Sequence, residues 1–315
     1  LPLTTYMKQQ LKYFGLGMLA VASIALFMNA TVDSTSNYFP FIKAGATQEN
    51  LALPIQNAYA VKIPESVTFA GETVPVDDPE VRERLDRELT VNAYWQSSTI
   101  ILLKRANRWL PTIEKILKEE NVPDDFKYLC MAESSLDNVV SPAGASGFWQ
   151  FMKATGIQYG LLINSEVDER YQLEKATRAA CKYLRDAKDK SGSWTAAAAS
   201  YNMGLAGVNK QQNLQGETAY YNLLLNTETS RYVQRIVALK IIHQHQKDYG
   251  FYLSEEDVYP EYKYTIKQVS GSVSWVSFAK ENNTSYKLLR IYNPWIRDYN
   301  LVNKEKRTFD VKIPA

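Results

Sequence analysis

Cysteine and histidine are nearly missing: the 315-residue chain has two of each. Two cysteines cannot make a disulfide scaffold. Cys130 and Cys181 each lie in apolar, helix-like sequence, where a free thiol packs as a small hydrophobe, so unpaired core residues are expected. His243 and His245 stand two residues apart on a helical stretch and point to different faces. That spacing argues against a zinc site and a histidine-dependent triad, and no metal or cofactor is expected. A phosphate-cradling loop is missing as well, because Gly144-Ala145-Ser146-Gly147 has neither the lysine nor the spacing it needs. Nor is there a charge excess: 36 Lys and Arg against 34 Asp and Glu leave a net +2. This excludes nucleic acid as the main partner, since phosphate binding concentrates cations over a domain.

Apolar and aromatic residues are plentiful. A hydrophobic fraction of 45% with 22% charged residues describes a globular chain. The 21 tyrosines outnumber the 11 Phe and 6 Trp together. Tyr joins an apolar ring to a hydroxyl, which suits amphipathic ligands and wet surfaces alike. At roughly 150 residues per domain, the length allows two folded units with chain to spare.

Four segments follow. Residues 1–30 carry Lys8 and Lys12 and then an apolar run broken only by Gly15, Gly17, Ser23 and Asn29. A charged start before an apolar stretch has the layout of an export signal, and the run is also near the lower length limit of a membrane span. A cleaved signal peptide and a membrane anchor both stay open, and either predicts the periplasm or cell envelope. Residues 31–77 have no sustained period and are broken by Pro40, Pro54, Pro64 and Pro75, which predicts a linker or strap. Residues 78–250 are helical in pattern, with spacings such as Ile113, Ile116 and Leu117 and stops at Asn121-Val122-Pro123, Ser191-Gly192-Ser193 and Tyr249-Gly250. Residues 251–315 form a small mixed module: strands around Tyr264-Thr265-Ile266 and at residues 309–313 flank helices at 273–281 and 286–292.

One carboxylate is out of place. After Pro123, the residues Phe126, Leu129 and Cys130 stand at i, i+3 and i+4 of an apolar stripe, and the i+7 position is Glu133. A carboxyl in apolar surroundings holds its proton to higher pH, which is how a Glu acts as an acid near neutrality. The alternative is a rim Glu that is solvated or paired with a base. Ser134-Ser135 closes that helix, and a small-residue loop at 141–147 leads into Phe148-Trp149-Gln150. An alanine-rich helix opened by Trp194 ends in Ser200-Tyr201-Asn202.

Glu133-Ser134, then Ser141 with Gly144-Ala145 and Gly147-Phe148-Trp149-Gln150, then Ser200-Tyr201-Asn202, resemble three motifs of the soluble lytic transglycosylases. Glu228-Thr229-Ser230-Arg231-Tyr232-Val233 resembles a fourth. The similarity covers roughly residues 82–250 and is greatest to the membrane-bound type D branch. Phe148-Trp149 replaces the usual Leu-Met, and Ser200 the usual Ala. The resemblance implies a mainly α, lysozyme-like catalytic domain of the goose-type lysozyme superfamily. It also implies cleavage of the β-1,4 bond between N-acetylmuramic acid and N-acetylglucosamine in peptidoglycan glycan strands, leaving 1,6-anhydromuramyl ends.

In that reading Glu133 is the single catalytic acid and then base. Tyr201 hydrogen-bonds near it, Gln150 and Asn202 hold sugar polar groups, Ser141 contacts an acetamido or peptide group, and Phe148 and Trp149 line the substrate. Ser134, Glu228 and Tyr232 support the site. For Glu228 a buried organising partner and a plain first-turn Glu are both open, and for Tyr232 core packing competes. Hydrolysis by the same scaffold and a non-catalytic wall-binding role are the rival functions.

The last module resembles a degenerate lysin-motif (LysM) repeat of α+β type, in which Val269-Ser270-Gly271-Ser272 stands where Gly-Asp-Thr is usual. Glycan binding and a structural cap are both open for it. Lys104, Arg105 and Arg108 crowd one helix and are expected to form a solvated face, with contact to anionic wall peptides as the alternative.

Overall fold

The computed structural model describes residues 59–315, so the expected leader at 1–30 and most of the strap lie outside the described residues. Helix α1 (Pro79–Tyr94) starts where Asp78 accepts the amides of Glu80 at 2.9 Å and Val81 at 3.0 Å, with Pro79 in the first turn. Helix α2 (Gln96–Glu119) buries Leu102, Leu103, Leu110, Ile113 and Leu117 on one stripe. Helix α3 (Phe126–Ser134) is short and buried over most of its length. Helix α4 (Lys153–Gln158) follows, then α5 (Leu173–Ser191), stopped by left-handed Gly192. Ser193 caps α6 (Trp194–Met203), whose Ala196 to Ala199 are fully buried; small side chains let it sit close against α5, α7 (Leu205–Gln215) and α8 (Thr227–Gln244).

Helix α8 is the central rod of the helical domain. It packs on α1, α3 and α6, and Val233, Ile236, Val237 and Ala238 are completely buried. Asn226 caps it by accepting the amide of Thr229 at 2.9 Å.

Two sequence expectations are corrected. The strap predicted at 31–77 does not extend through its last part: Val67–Phe69 (β1) and Glu72–Val74 (β2) form an antiparallel hairpin around Ala70-Gly71, both at positive φ. Phe69 is fully buried, with its ring 5.3 Å from Phe126, and Asp125 accepts both the Ala70 amide and the Lys240 ammonium at 2.8 Å. Strands of three residues are too short to leave a readable period, and flanking prolines mask them. The helical domain also does not end at residue 250. Gly250 adopts a left-handed turn, and Phe251, whose amide bonds the Gln246 carbonyl at 2.9 Å, goes into the same core. This is the helix-ending turn in which the residue after the glycine carries a hydrophobic contact.

In the last module β3 (Tyr264–Val269) pairs antiparallel with β6 (Phe309–Pro314), and β4 (Val273–Ser274) pairs with β5 (Asn300–Leu301). Helices α9 (Trp275–Glu281) and α10 (Tyr286–Tyr292) lie between, as the spacing predicts. Its core of Trp275, Phe278, Leu289, Trp295, Ile296, Phe309 and Val311 also takes in Val167 from the helical domain. The two modules are pinned together there, by the bonds Asp168 N–H to Trp295 carbonyl at 2.9 Å and Arg297 N–H to Glu166 carbonyl at 2.8 Å. Cys130 and Cys181 are free and buried. Among the described residues no helix is long and apolar enough to cross a membrane.

Because Phe69 belongs to the helical core, Phe69→Ala is expected to cost about 3–5 kcal/mol of stability, measured by denaturant unfolding. A change within about 0.5 kcal/mol, as for a surface position, would return the hairpin to the status of a strap.

Candidate active site

Glu133 sits in the last turn of α3, with Phe126, Leu129 and Cys130 beneath it fully buried. The helix stops at once. Ser134 Oγ donates to the Cys130 carbonyl at 3.3 Å, and Ser135 and Leu136 both take positive φ, at 51° and 53°. Non-glycine residues there carry strain of about 1–3 kcal/mol each, which the surrounding packing must hold. The turn sends Leu136 into the core and brings Asp137 to Arg105, Oδ2 to Nη2 at 2.6 Å.

Glu133 is half-buried, and its Oε1 accepts a hydrogen bond from the Tyr232 hydroxyl on α8. Burial pushes its carboxyl above the ordinary value and outweighs the Tyr232 bond and the nearby Arg235 charge, which pull it down; Glu228 adds a small upward push. Burial foremost also holds the Tyr232 phenol well above its ordinary value, so it stays a donor. The arrangement is a carboxyl kept protonated to higher pH and aimed by a fixed hydroxyl.

The loop after α3 forms one wall. The Ser141 amide donates to the Ala145 carbonyl at 2.8 Å, and the Ala145 amide donates back to Ser141 Oγ at 3.0 Å. Gly147 has φ of +81°, and a Cβ there would come within 1.9 Å of the Arg170 carbonyl oxygen. The Arg170 side chain, itself buried, pairs with Asp168 at 2.7 Å and donates to the Gly144 and Phe151 carbonyls at 3.1 Å each. Gln150 spends its amide nitrogen on Val139 and Gly147 carbonyls at 3.0 and 2.7 Å.

The sequence-predicted residues divide. Glu133 and Tyr232 are in contact, and Tyr232 is a site partner as well as core packing. Asn202 Nδ2 reaches Glu228 at 3.1 Å, while its Oδ1 accepts from Thr229 at 2.7 Å. Glu228 is exposed, so the buried version of its role does not hold; its own first-turn position keeps it at the surface. The Tyr201 hydroxyl bonds the Trp149 carbonyl at 2.8 Å rather than the carboxyl of Glu133. Trp149 does not face a groove, and Phe148 is nearly buried, reaching only the edge of the cleft between the modules. Trp149 is completely buried, with its indole N–H on Thr177 at 2.9 Å, and Phe148 packs edge-on against Trp109 at 5.1 Å. Two large aromatics in succession are taken by the core because the loop is pinned on both sides of them. Ser141 and Ser134 serve their own turns.

Two clusters were missed in the sequence. One is the Arg170–Asp168 pair, which no spacing announces. The other is Glu88, only 3% exposed on α1, with Arg87 at 2.6 Å and with Arg231 and Arg235 of α8 at 3.5 Å each. Glu88 was findable: it lies seven residues after Val81 on the stripe of Leu85 and Leu89, the same signal that exposes Glu133. Among the described residues no His, Cys, Asp and Glu group could hold a metal ion.

A lysozyme-like helical domain with one half-buried Glu held by a hydroxyl defines a class, and comparison with known proteins agrees with it. Residues 111–224 carry a Transglycosylase SLT domain, and residues 265–315 match the Soluble lytic transglycosylase C-terminal LysM-like domain. The chain is similar to Membrane-bound lytic murein transglycosylase D of Escherichia coli strain K12, 31% identical over 198 residues, covering 60% of this chain and 43% of that protein. The protein of the same description from Escherichia coli O6:H1 strain CFT073 matches with the same identity and coverage. The chain thus spans less than half the length of the curated relatives it matches.

Gly147→Ala is expected to unfold the loop that walls the site, lowering stability by more than about 3 kcal/mol in denaturant melts. An unaffected variant would mean that the close approach to Arg170 is dispensable.

Proposed function

We propose that this chain is a peptidoglycan lytic transglycosylase that cleaves the β-1,4 bond between N-acetylmuramic acid and N-acetylglucosamine. The observation that carries the reading is the half-buried Glu133 carboxyl, raised by burial and held by the Tyr232 hydroxyl. Protonated Glu133 gives its proton to the glycosidic oxygen as the bond to the muramyl C1 breaks. Now ionised, it takes the proton of the muramyl 6-hydroxyl as that oxygen closes on C1, and a 1,6-anhydro ring forms without net addition of water. The charge that develops on C1 is met by the substrate's own 2-acetamido group, so one protein carboxylate suffices. In this reading Asn202, held by Glu228 and Thr229, and Gln150, through the side-chain oxygen left over from its two bonds to the loop, meet sugar polar groups. The similarity to a membrane-bound murein enzyme favours action in the cell envelope.

Glu133→Gln should lower turnover of purified peptidoglycan by about 10²–10⁴-fold, with glycan binding retained. Mass analysis of the wild-type products should find anhydromuramyl ends. Hydrated reducing ends would assign the scaffold to hydrolysis, and full activity of the variant would remove Glu133 from its role.

The pH profile is a second check. The acid form is the one that works, so activity falls as pH rises through the Glu133 pKa, and burial sets that falling limb above the ordinary 4.5. Tyr232→Phe deletes a bond that favours the carboxylate, so the pKa rises further and the limb should move to higher pH. Loss of aim should reduce kcat by about 10–100-fold. A limb that stays in place or moves down would contradict the Tyr232 contact.

A further inference from the structure

Between the two modules lies a cleft of about 800 Å³ that the chemistry at Glu133 does not use. The two modules that enclose it are held together at two places: Val167 enters the core of the last module, and at the connector the Tyr259 amide donates to the Lys104 carbonyl at 3.1 Å. Attachment of the modules at two places makes it a pre-formed space rather than a gap between loosely joined bodies.

An aromatic chain runs along it. Phe148 packs on Trp109 at 5.1 Å, Trp109 on Tyr262 at 5.4 Å, and Tyr262 stacks on Tyr292 at 4.6 Å with 24° between the planes. The chain starts two residues from Gln150 on the wall of the catalytic site and ends in the LysM-like module. Leu136, which also lines the cleft, is three residues from Glu133, so its backbone lies at most about 11 Å away.

The charges are uneven. Arg105 is answered by Asp137 at 2.6 Å and Lys312 by Glu174 at 2.5 Å. Arg108 and Lys263 also line the cleft, and neither has a side-chain carboxylate partner among the described residues; of the three lining side-chain carboxylates, Asp137, Glu174 and Glu261, only Glu261 has no cation. Arg108 is half-buried and fixed: Nε donates to the Pro260 carbonyl at 2.9 Å, Nη1 to the Tyr262 hydroxyl at 3.2 Å, and the guanidinium lies 4.4 Å from the Tyr262 ring centre. Its Nη2 has no protein acceptor among the described residues. The expected solvated face of Arg105 and Arg108 is therefore a cleft wall, and a fixed guanidinium with an unused donor is a carboxylate receptor.

We propose that this cleft binds the peptide arm carried by the muramyl sugar, with Arg108 taking a peptide carboxylate, Lys263 a second one, Glu261 an amine, and Tyr262 and Tyr292 the body of the peptide. This rests on the peptidoglycan reading above. A peptide linked next to the scissile bond has to leave the catalytic groove within a few residues. The cleft opens at that distance, and its unpaired cations and single unpaired side-chain carboxylate complement a short chain with two carboxylates and an amine.

The probe is the tetrapeptide L-Ala-γ-D-Glu-L-Lys-D-Ala, titrated calorimetrically into the full chain, beside turnover of glycan strands with and without their peptides. Wild type should bind the tetrapeptide, Arg108→Ala should weaken it at least tenfold, Lys263→Ala about threefold, and esterifying the carboxylates should act like Arg108→Ala. The wild-type preference for peptide-bearing over stripped strands should fall toward one in Arg108→Ala. Lys263 is exposed, so its variant keeps the test alive if Arg108→Ala fails to fold. Equal tetrapeptide binding by wild type and both variants, no binding at all, or an unchanged preference in a folded Arg108→Ala chain would overturn the assignment. Peptide binding that depends on Arg108 without anhydromuramyl products would instead sink the reaction and leave the cleft standing.

Discussion

A carboxyl group that is to act as an acid must be kept out of water and still be pointed at its target. In the role proposed for Glu133, both demands fall on the contact between the ends of two helices. Helix α3 delivers Glu133 at its last turn, and α8 brings Tyr232 against it from 99 residues further along. That contact exists only because α8 is enclosed by α1, α3 and α6, and because the Ser135-Leu136 turn ends α3 before it can bury the carboxyl completely. Longer, α3 would bury the acid; frayed, it would let water equalise its pKa.

The rest of the helical domain reads as support for that geometry. The Asp125 carboxylate fastens the β1–β2 hairpin and Lys240 of α8 to the start of α3. The Arg170–Asp168 pair fastens the 141–151 loop from behind, a buried pair whose value lies in the position it enforces, since desolvation offsets much of its attraction. Glu88 does a related job on α8, giving Arg231 and Arg235 an anion; Arg235 is also the cation that pulls the Glu133 carboxyl down. The LysM-like module is joined to this frame by a shared core residue, and this makes the seam a built surface.

Four of the 21 tyrosines show three distinct uses. Tyr232 bonds the Glu133 carboxyl, Tyr201 clamps the loop through the Trp149 carbonyl, and Tyr262 with Tyr292 carries the aromatic chain across the seam. In each case the ring is buried or stacked while the hydroxyl or ring face meets a partner, the double character that distinguishes Tyr from Phe.

Much of this is determined by local sequence. Helix starts at Asp78-Pro79, Ser193 and Asn226, stops at Gly192 and Gly250, and the strand–helix–helix–strand order of the last module all follow from caps, glycines and periods that act within a few residues. The misplaced Glu133 is legible for the same reason, because a helical period states which face a residue occupies. Periodicity does not state which element covers that face. That Tyr232 and not Tyr201 meets Glu133, that Phe148 and Trp149 turn inward, that the hairpin belongs to the core and that Arg108 lines a seam were decided by packing between segments far apart in the chain. Burial of apolar surface is non-directional, and only the assembled shape selects which of several suitable side chains fills each place.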